Sequence, residues 1–351
     1  MILGDVAKVQ TGKLDVNAQD LNGQYPFFTC AQEPTRINAY SFDCECVLVA
    51  GNGDLNVKYY KGKFEAYQRT YVVEVAKKEV LDTRFLYYLL NNYLEKLRNL
   101  AIGGVIKYIK LGNLTDIVLL DVPLEEQRRI VEVLDRAENI RQKRTQSLKL
   151  LDDFLRATFS EMFVSREWGV GKLGEEIDVK SGQVDPRESI YAGMICVGGD
   201  NIESNTGRLL GLKTAKEVGA KSGKYLFDEG DILYSKIRPY LNKVVLTDFK
   251  GICSADIYPL KPKRKLTREF LTFILRSKDF LQYADKHSSR TSIPKINREA
   301  LAEYKIILPP IDMQEQFSRT FQQVERLKTL LVKSASELDN QFNALMQRYF
   351  D

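Results

Sequence analysis

Histidine is nearly absent. His287 is the only one in 351 residues, which argues against a histidine-built metal centre or catalytic triad. Cysteine is scarce too. Cys30, Cys44, Cys46, Cys196 and Cys253 are odd in number and include no CxxC pair, so reduced thiols in a cytoplasm are expected. No apolar run approaches the ~20 residues that cross a bilayer. The opening MILGDVAKVQ has no basic stretch before an apolar core, so no signal peptide is expected there. No GxxxxGK[ST] loop occurs, which excludes that type of ATPase. The methyltransferase motif Asn/Asp-Pro-Pro-aromatic is missing as well, because LPPI at Leu308–Ile311 has leucine where the amide or acid is required. AGNGD at Ala50–Asp54 lacks the helix that should follow a cofactor loop and reads as a hairpin turn.

The hydrophobic fraction is 44%, ordinary for a folded protein, and the length suggests two or three domains. Charge is unevenly placed. Residues 1–122 carry 14 basic and 14 acidic side chains, 123–163 carry 8 and 8, 164–308 carry 25 and 19, and 309–351 carry 5 and 6. The excess of +5 therefore lies in the third segment, compatible with a polyanionic partner.

The chain also repeats itself. LGDVAKVQTG at Leu3–Gly12 matches LGEEIDVKSG at Leu173–Gly182, and FDCECVLVAGNGD from Phe42 matches FDEGDILYSKIRP from Phe227. FLYYLL at Phe85–Leu90 matches FLTFIL at Phe270–Leu275, and IKYI at Ile106–Ile109 matches IPKI at Ile293–Ile296. VPLEEQRRIV at Val122–Val131 and PPIDMQEQF at Pro309–Phe317 each open a long helical pattern with proline, an aliphatic, an acid and glutamine. The globular parts read as mixed and strand-rich (CVLVA, TYVVEV, DIVLL; MICVG, DILYS, KVVLT, YKIIL), each with one amphipathic helix, TRFLYYLLNNYLEKLRN and TREFLTFILRSKDFLQYADK. Thr83 and Thr267 are the expected caps.

After each proline the apolar residues fall three and four apart, a period near 3.5. Forty-one residues of helix, 123–163, would span ~60 Å, too long for one globular core. A narrow stripe on such a helix needs a partner, and the other copy is at hand. The expected fold is α+β: two mixed, strand-rich domains separated by a pair of long antiparallel coiled-coil helices, with a pseudo-two-fold internal repeat. Its boundaries are 1–122, 123–163, 164–308 and 309–351. Helices that form ordinary parts of a single core are the alternative. Arg141–Arg144, RQKR, reads as a solvated face.

With these repeats in view, the chain resembles the specificity subunit of type I restriction–modification systems, over nearly its whole length. VPLEEQRRIVEVLD and LPPIDMQEQFSRTF carry the family's helix opening, with Met313 departing where the first copy has Glu126. GGVIKYIKLGNLTDIVLLDVP and SSRTSIPKINREALAEYKIILPP look like ends of target-recognition domains, and FEAYQRTYVVEV and DILYSKIRPYLNKVVL like stretches within them. The resemblance implies a non-catalytic reader of double-stranded DNA, each domain taking one half of a bipartite, asymmetric target. The helix pair would set the spacer and dock two methylation subunits, and restriction and translocation subunits would join. It implies no cofactor in this chain, S-adenosylmethionine in the methylation subunit, ATP and Mg²⁺ in the restriction subunit, no membrane, and a cytoplasmic location.

Base edges are read by side chains with donors and acceptors, while cations and hydroxyls grip phosphates. The candidates are Lys58, Tyr59, Tyr60 and Arg69 in VKYYKGKFEAYQRT, and Lys107 and Tyr108 in IGGVIKY. In the second domain they are Ser235, Lys236, Arg238 and Tyr240 in SKIRPY, and Arg290, Thr291, Ser292 and Lys295 in HSSRTSIPK. Surface lysines and core tyrosines are the alternative reading of each. Tyr88 and Phe273 read as core. Two other functions stay open: a scaffold that binds only proteins, and a metal-dependent nuclease built on Asp231 with Asp248–Lys250.

Overall fold

The computed structural model describes residues 1–164, 166–288 and 292–350. The fold is mixed α+β. It divides into two compact units, Met1–Ser147 with Val332–Asp351, and Leu148–Leu331.

In the first unit six strands make one sheet: β1 (Ala7–Thr11), β2 (Tyr25–Phe28), β3 (Thr35–Ile37), β4 (Phe42–Ala50), β5 (Val57–Ala66) and β6 (Thr70–Val75). Their order is β1-β6-β4-β5-β2-β3, antiparallel except where β2 meets β5. The two-residue period of a strand sorts the side chains. Val47, Val49, Val73 and Val75 pack with Phe85, Leu86 and Leu89 of α1 (Thr83–Asn92). Cys46, Leu48, Phe64 and Val72 turn to the opposite face and pack with Phe28. Cover on both faces is why Cys46–Ala50 reads as an unbroken apolar run. AGNGD lies in the connection between β4 and β5, which pair as an antiparallel hairpin.

The helix expected after β6 is two: α1 and α2 (Leu94–Leu100), parted at Tyr93, whose ψ is −5°. Its cap is Asp82, not Thr83. The Asp82 carboxylate accepts from the amides of Arg84 at 2.8 Å and Phe85 at 2.9 Å, a negative charge at the positive helix end. A short helix, α3 (Gly112–Thr115), precedes α4 (Leu124–Phe159), which runs 36 residues and continues into one wide turn, Ser160–Val164. DIVLL forms no strand beyond an isolated bridge between Ile2 and Val118.

The second unit starts with β7 (Gly169–Lys172), α5 (Leu173–Glu176), β8 (Ile177–Val179), β9 (Gln183–Val184), α6 (Ser189–Ala192) and β10 (Cys196–Val197). It continues with β11 (Lys224–Phe227), β12 (Ile232–Ser235), β13 (Val244–Leu246), β14 (Gly251–Ser254) and β15 (Ile257–Pro262). Then come α7 (Arg268–Arg276), α8 (Lys278–Lys286), α9 (Arg298–Glu303), β16 (Lys305–Leu308) and α10 (Ile311–Phe350). Two four-stranded sheets, β10-β14-β11-β9 and β13-β12-β15-β8, share a core of Val197, Phe227, Leu233, Val245, Cys253 and Ile257. The other face of the second sheet, with Ile232, Tyr234 and Leu260, packs on α7 and α8. Here again one expected helix is two, because Ser277 turns extended and caps α8 through the Phe280 amide. Thr267 caps α7 as expected, accepting from Phe270 at 3.3 Å.

Both long helices start on the same device. Gln127 is 2% exposed and Gln314 0%. The Gln127 amide donates to the carbonyls of Val80 and Val122, and its oxygen accepts from the Asp82 amide at 2.9 Å. The Gln314 amide donates to Lys265 and Pro309, and its oxygen accepts from Thr267 at 3.0 Å. Each glutamine thus ties the helix start to the cap residue of α1 or α7. The glutamine of the repeated sequence is a buried latch, satisfying backbone groups that no sheet or helix pairs.

The long helices belong to the cores of the units. Ile130 and Leu134 of α4 and Phe342, Met346 and Phe350 of α10 join α1 in the first. Leu155 of α4 and Phe317, Phe321 and Val324 of α10 join α7 in the second. The RQKR face is solvated only in part: Gln142 and Lys143 are exposed, but Arg141 is half-buried, its guanidinium lies 4.4 Å from the Phe342 ring, and it pairs with Glu138 and Asp339. Among the described residues no helix is long and apolar enough to cross a membrane.

Candidate nucleic-acid interface

In the first unit the candidates fall in two places. Lys58, Tyr59 and Tyr60 are consecutive on β5, so they alternate between sheet faces. Tyr59 faces α1: its hydroxyl donates to Glu45 at 2.6 Å and its ring lies 4.8 Å from the Arg84 guanidinium. Burial and the bond to Glu45 push its hydroxyl pKa up. Tyr60 packs on the rings of Phe28 and Phe64 at 5.0 and 5.5 Å. Lys58 is half-buried against the Asn56 side chain, and desolvation pulls its pKa below the usual lysine value. These three side chains are engaged within the unit and do not share one surface.

Arg69, Lys107 and Tyr108 do come together. The carbonyl of Arg69 accepts from Gly51 at 2.8 Å, that of Lys107 from Gly53 at 3.0 Å, and that of Gly51 from Ile109 at 2.9 Å. Three loops meet there: the turn after β4, the turn after β5 and the stretch 102–109. Arg69 and Lys107 are exposed, Tyr108 is half-buried, and neither cation forms an ion pair with a described residue. Gly103 and Gly104 make the last loop, whose tip is Val105 and Ile106, and Lys110 lies exposed beyond it.

In the second unit two distant stretches lie side by side. Ile237 bridges to Lys295, the Arg238 amide donates to Pro294 at 2.7 Å, and Ile296 donates to Lys236 at 3.0 Å. The sequence shows only two basic stretches 50-odd residues apart; backbone pairing makes them one surface. Arg238 takes a left-handed φ of 46°, a costly conformation for a residue with a side chain. It is held by Pro294 on one side and the Pro239–Leu241 turn on the other. Arg238, Tyr240, Ser292 and Lys295 are exposed. Ser235 is buried, and Lys236 turns inward to the Ala255 carbonyl at 2.8 Å, over the Tyr258 ring. Arg290 and Thr291 lie outside the described residues.

This arrangement offers exposed guanidinium, ammonium and hydroxyl groups on backbone-anchored loops, chemistry suited to phosphates and base edges. It offers little to a nuclease. Asp231 is buried and pairs with Lys180 at 2.6 Å, and Asp228 pairs with Lys180 and Lys250. Burial opposes the Lys180 charge, yet the bonds to both carboxylates raise its pKa. Among the described residues no group of three or more His, Cys, Asp or Glu is placed to hold a metal.

Comparison with known proteins points one way. The family described as type I restriction modification DNA specificity domain matches residues 1–150 and again 165–339. The chain is 35% identical to the type I restriction enzyme EcoDI specificity subunit of Escherichia coli, covering 98% of this chain and 85% of that one. It is 21% identical to the MjaVIII specificity subunit of Methanocaldococcus jannaschii, covering 86% of this chain and 77% of that one. The crystal structure of a type I restriction–modification S subunit from M. genitalium superimposes with a TM-score of 0.69 at 17% identity, over 100% of this chain and 95% of that one.

Proposed function

The chain belongs to the type I restriction–modification DNA specificity family, and from that premise we propose that it reads a two-part DNA target on behalf of partner subunits. One observation carries the proposal: the specificity domain matches this chain twice, in tandem. Two readers on one polypeptide, unlike in sequence, call for two unlike half-sites. We assign them to residues 1–122 and 164–308, with 123–163 and 309–351 as the conserved helices. The recurrence of the glutamine latch at Gln127 and Gln314 supports an internal two-fold repeat. So do the equivalent ties from α1 and α7: Arg84 and Tyr88 reach Asp135, and Glu269 reaches Gln322.

In this reading α4 and α10 pair antiparallel, as a coiled coil, and set the gap between half-sites. Helices of 36 and 40 residues are long enough to span ~54–60 Å, against ~34 Å for one turn of duplex. The chain itself is not a catalyst and holds no cofactor. Two methylation subunits, carrying S-adenosylmethionine, dock on it, and restriction subunits using ATP and Mg²⁺ join in the cytoplasm.

The test is to co-express the chain with its methylation subunit and map modified adenines across a genome. The expected result is one motif in two short parts with a fixed gap. A single uninterrupted motif, or none, overturns the proposal.

Individual contacts separate by their physics. Arg238→Ala is expected to weaken one half-site by about 1–3 kcal/mol and relax its sequence preference. Arg238→Gly keeps the left-handed backbone without strain and controls for folding. Lys295→Ala is expected to weaken all duplexes alike and lower the salt slope by about one counterion. Titrating binding against salt for both variants, on target and random duplex, checks the pair. An Arg238→Ala complex with unchanged affinity and selectivity would remove Arg238 from the interface.

A further inference from the structure

The loop 102–108 of the first unit is built to hold an apolar tip in solvent. Its base is closed by reciprocal hydrogen bonds, Ile102 amide to Tyr108 carbonyl at 3.0 Å and Tyr108 amide to Ile102 carbonyl at 2.8 Å. The base is fixed again by Gly53 donating to Lys107 and by the Tyr71 hydroxyl donating to Ile109 at 3.0 Å. Gly103 has a φ of 123°, and a Cβ there would lie 2.5 Å from the Ile106 carbonyl oxygen, so only glycine makes this turn. Out of this anchored base project Val105, fully exposed, and Ile106, 62% exposed. Leu100, Ile102 and Leu111, at the base of the loop or next to it in the chain, are exposed as well. Single exposed aliphatics are common, but two in succession at the tip of a braced loop call for an occupant.

Charge identifies that occupant. Lys107 and Lys110 follow the tip, and Arg69 sits where its base meets the body; all three are exposed and lack an ion-pair partner among the described residues. Cationic rims suit a polyanion, whereas the cores of protein interfaces are depleted in lysine. In DNA the aliphatic ligand in reach of a loop is the thymine C5 methyl, which marks T·A pairs in the major groove. Resting on the DNA-reading function proposed above, we infer that Val105 and Ile106 read thymine methyl groups in one half-site, while Lys107 and Lys110 hold the adjoining phosphates.

The experiment uses the chain assembled with its methylation subunit. Each thymine of the mapped target is replaced in turn by deoxyuridine, which lacks only the methyl group. For the wild type, one or two positions within one half-site should weaken binding about fourfold each, the worth of one buried methylene. A Val105→Ser/Ile106→Ser variant should bind the thymine target about tenfold more weakly and lose its sensitivity at those positions. It should keep the wild-type salt slope. The inference is overturned if deoxyuridine weakens both proteins equally or neither. It is equally overturned if the variant loses sensitivity in both half-sites, or if the variant fails to assemble with the methylation subunit, which would make the tip a protein contact. Failure of the underlying DNA reading looks different: the wild-type complex would then prefer no sequence, before any substitution is made.

Discussion

Gln127→Leu is expected to unfasten α1 from the start of α4, and Gln314→Leu to do the same for α7 and α10. Each removes three hydrogen bonds from a buried site and leaves two carbonyls and an amide without partners. A buried group left unsatisfied costs about 1–3 kcal/mol, so the loss over three groups is expected at ~3–9 kcal/mol, well beyond the ~0.5 kcal/mol typical of surface changes. Leucine has nearly the volume of glutamine, so the loss reflects polarity rather than a cavity. Glutamate at either position should be worse than leucine, because a charged carboxylate would then face two carbonyl oxygens. Hydrogen exchange is the appropriate readout, since two units need not unfold in one transition. The amides of Asp82–Phe85 should lose at least about a hundredfold of protection in the first variant, at ~1.4 kcal/mol per factor of ten. Those of Thr267–Phe270 should do so in the second. Unchanged protection at these amides would mean that the latch contributes nothing.

Phe317→Ala should destabilise the second unit by about 3–5 kcal/mol. Phe317 is 0% exposed and meets Phe159, Phe163, Phe270 and Phe273 at ring distances of 5.4, 5.8, 6.5 and 5.2 Å. The edge-on arrangement of all four contacts adds to plain burial, and alanine would leave a void that rigid neighbours cannot close. The protein supplies its own probe. Trp168, the only tryptophan, lies 6.4 Å from the Phe163 ring and donates its indole N–H to the Phe163 carbonyl at 2.7 Å. Tryptophan fluorescence followed through a urea titration therefore reports on this cluster. Its midpoint should fall sharply in Phe317→Ala and hold in Phe154→Ala, an exposed change on α4. Equal midpoints for Phe317→Ala and the wild type would show that the cluster does not stabilise the unit.

Much of this architecture is legible in the residues because it rests on local rules. The 3.5-residue spacing after Pro123 and Pro310 marks both long helices, and the FLYYLL and FLTFIL patterns mark α1 and α7. Turn residues and two-residue alternation place β4, β6, β10, β12, β13 and β16, six of the sixteen strands among the described residues. The misread points are those where one side chain decides between near-equal backbone states. Asp82 outcompetes Thr83 as a cap, Tyr93 and Ser277 each divide an amphipathic run in two, and DIVLL never finds a strand to pair with. Arg141 reads as a solvated face only until Phe342, some 200 residues away, is known to lie beneath it.

Composition and order of residues alone determined the α+β class, the tandem design and the family, because periodicity, turns and repeated motifs are properties of short stretches. Only the tertiary structure decided which polar residues are available to a ligand. Tyr59 and Lys236 carry the same chemistry as Tyr240 and Lys295, yet the first two face inward to Glu45 and Ala255 and the last two face water. Strand alternation and long-range pairing, such as Ile237 with Lys295, set that difference. Only folding, likewise, revealed that the glutamine of the repeated signature is a latch and that Val105 and Ile106 stand out in solvent. Exposure and partnership belong to neighbours brought from far along the chain, and local sequence carries no record of them.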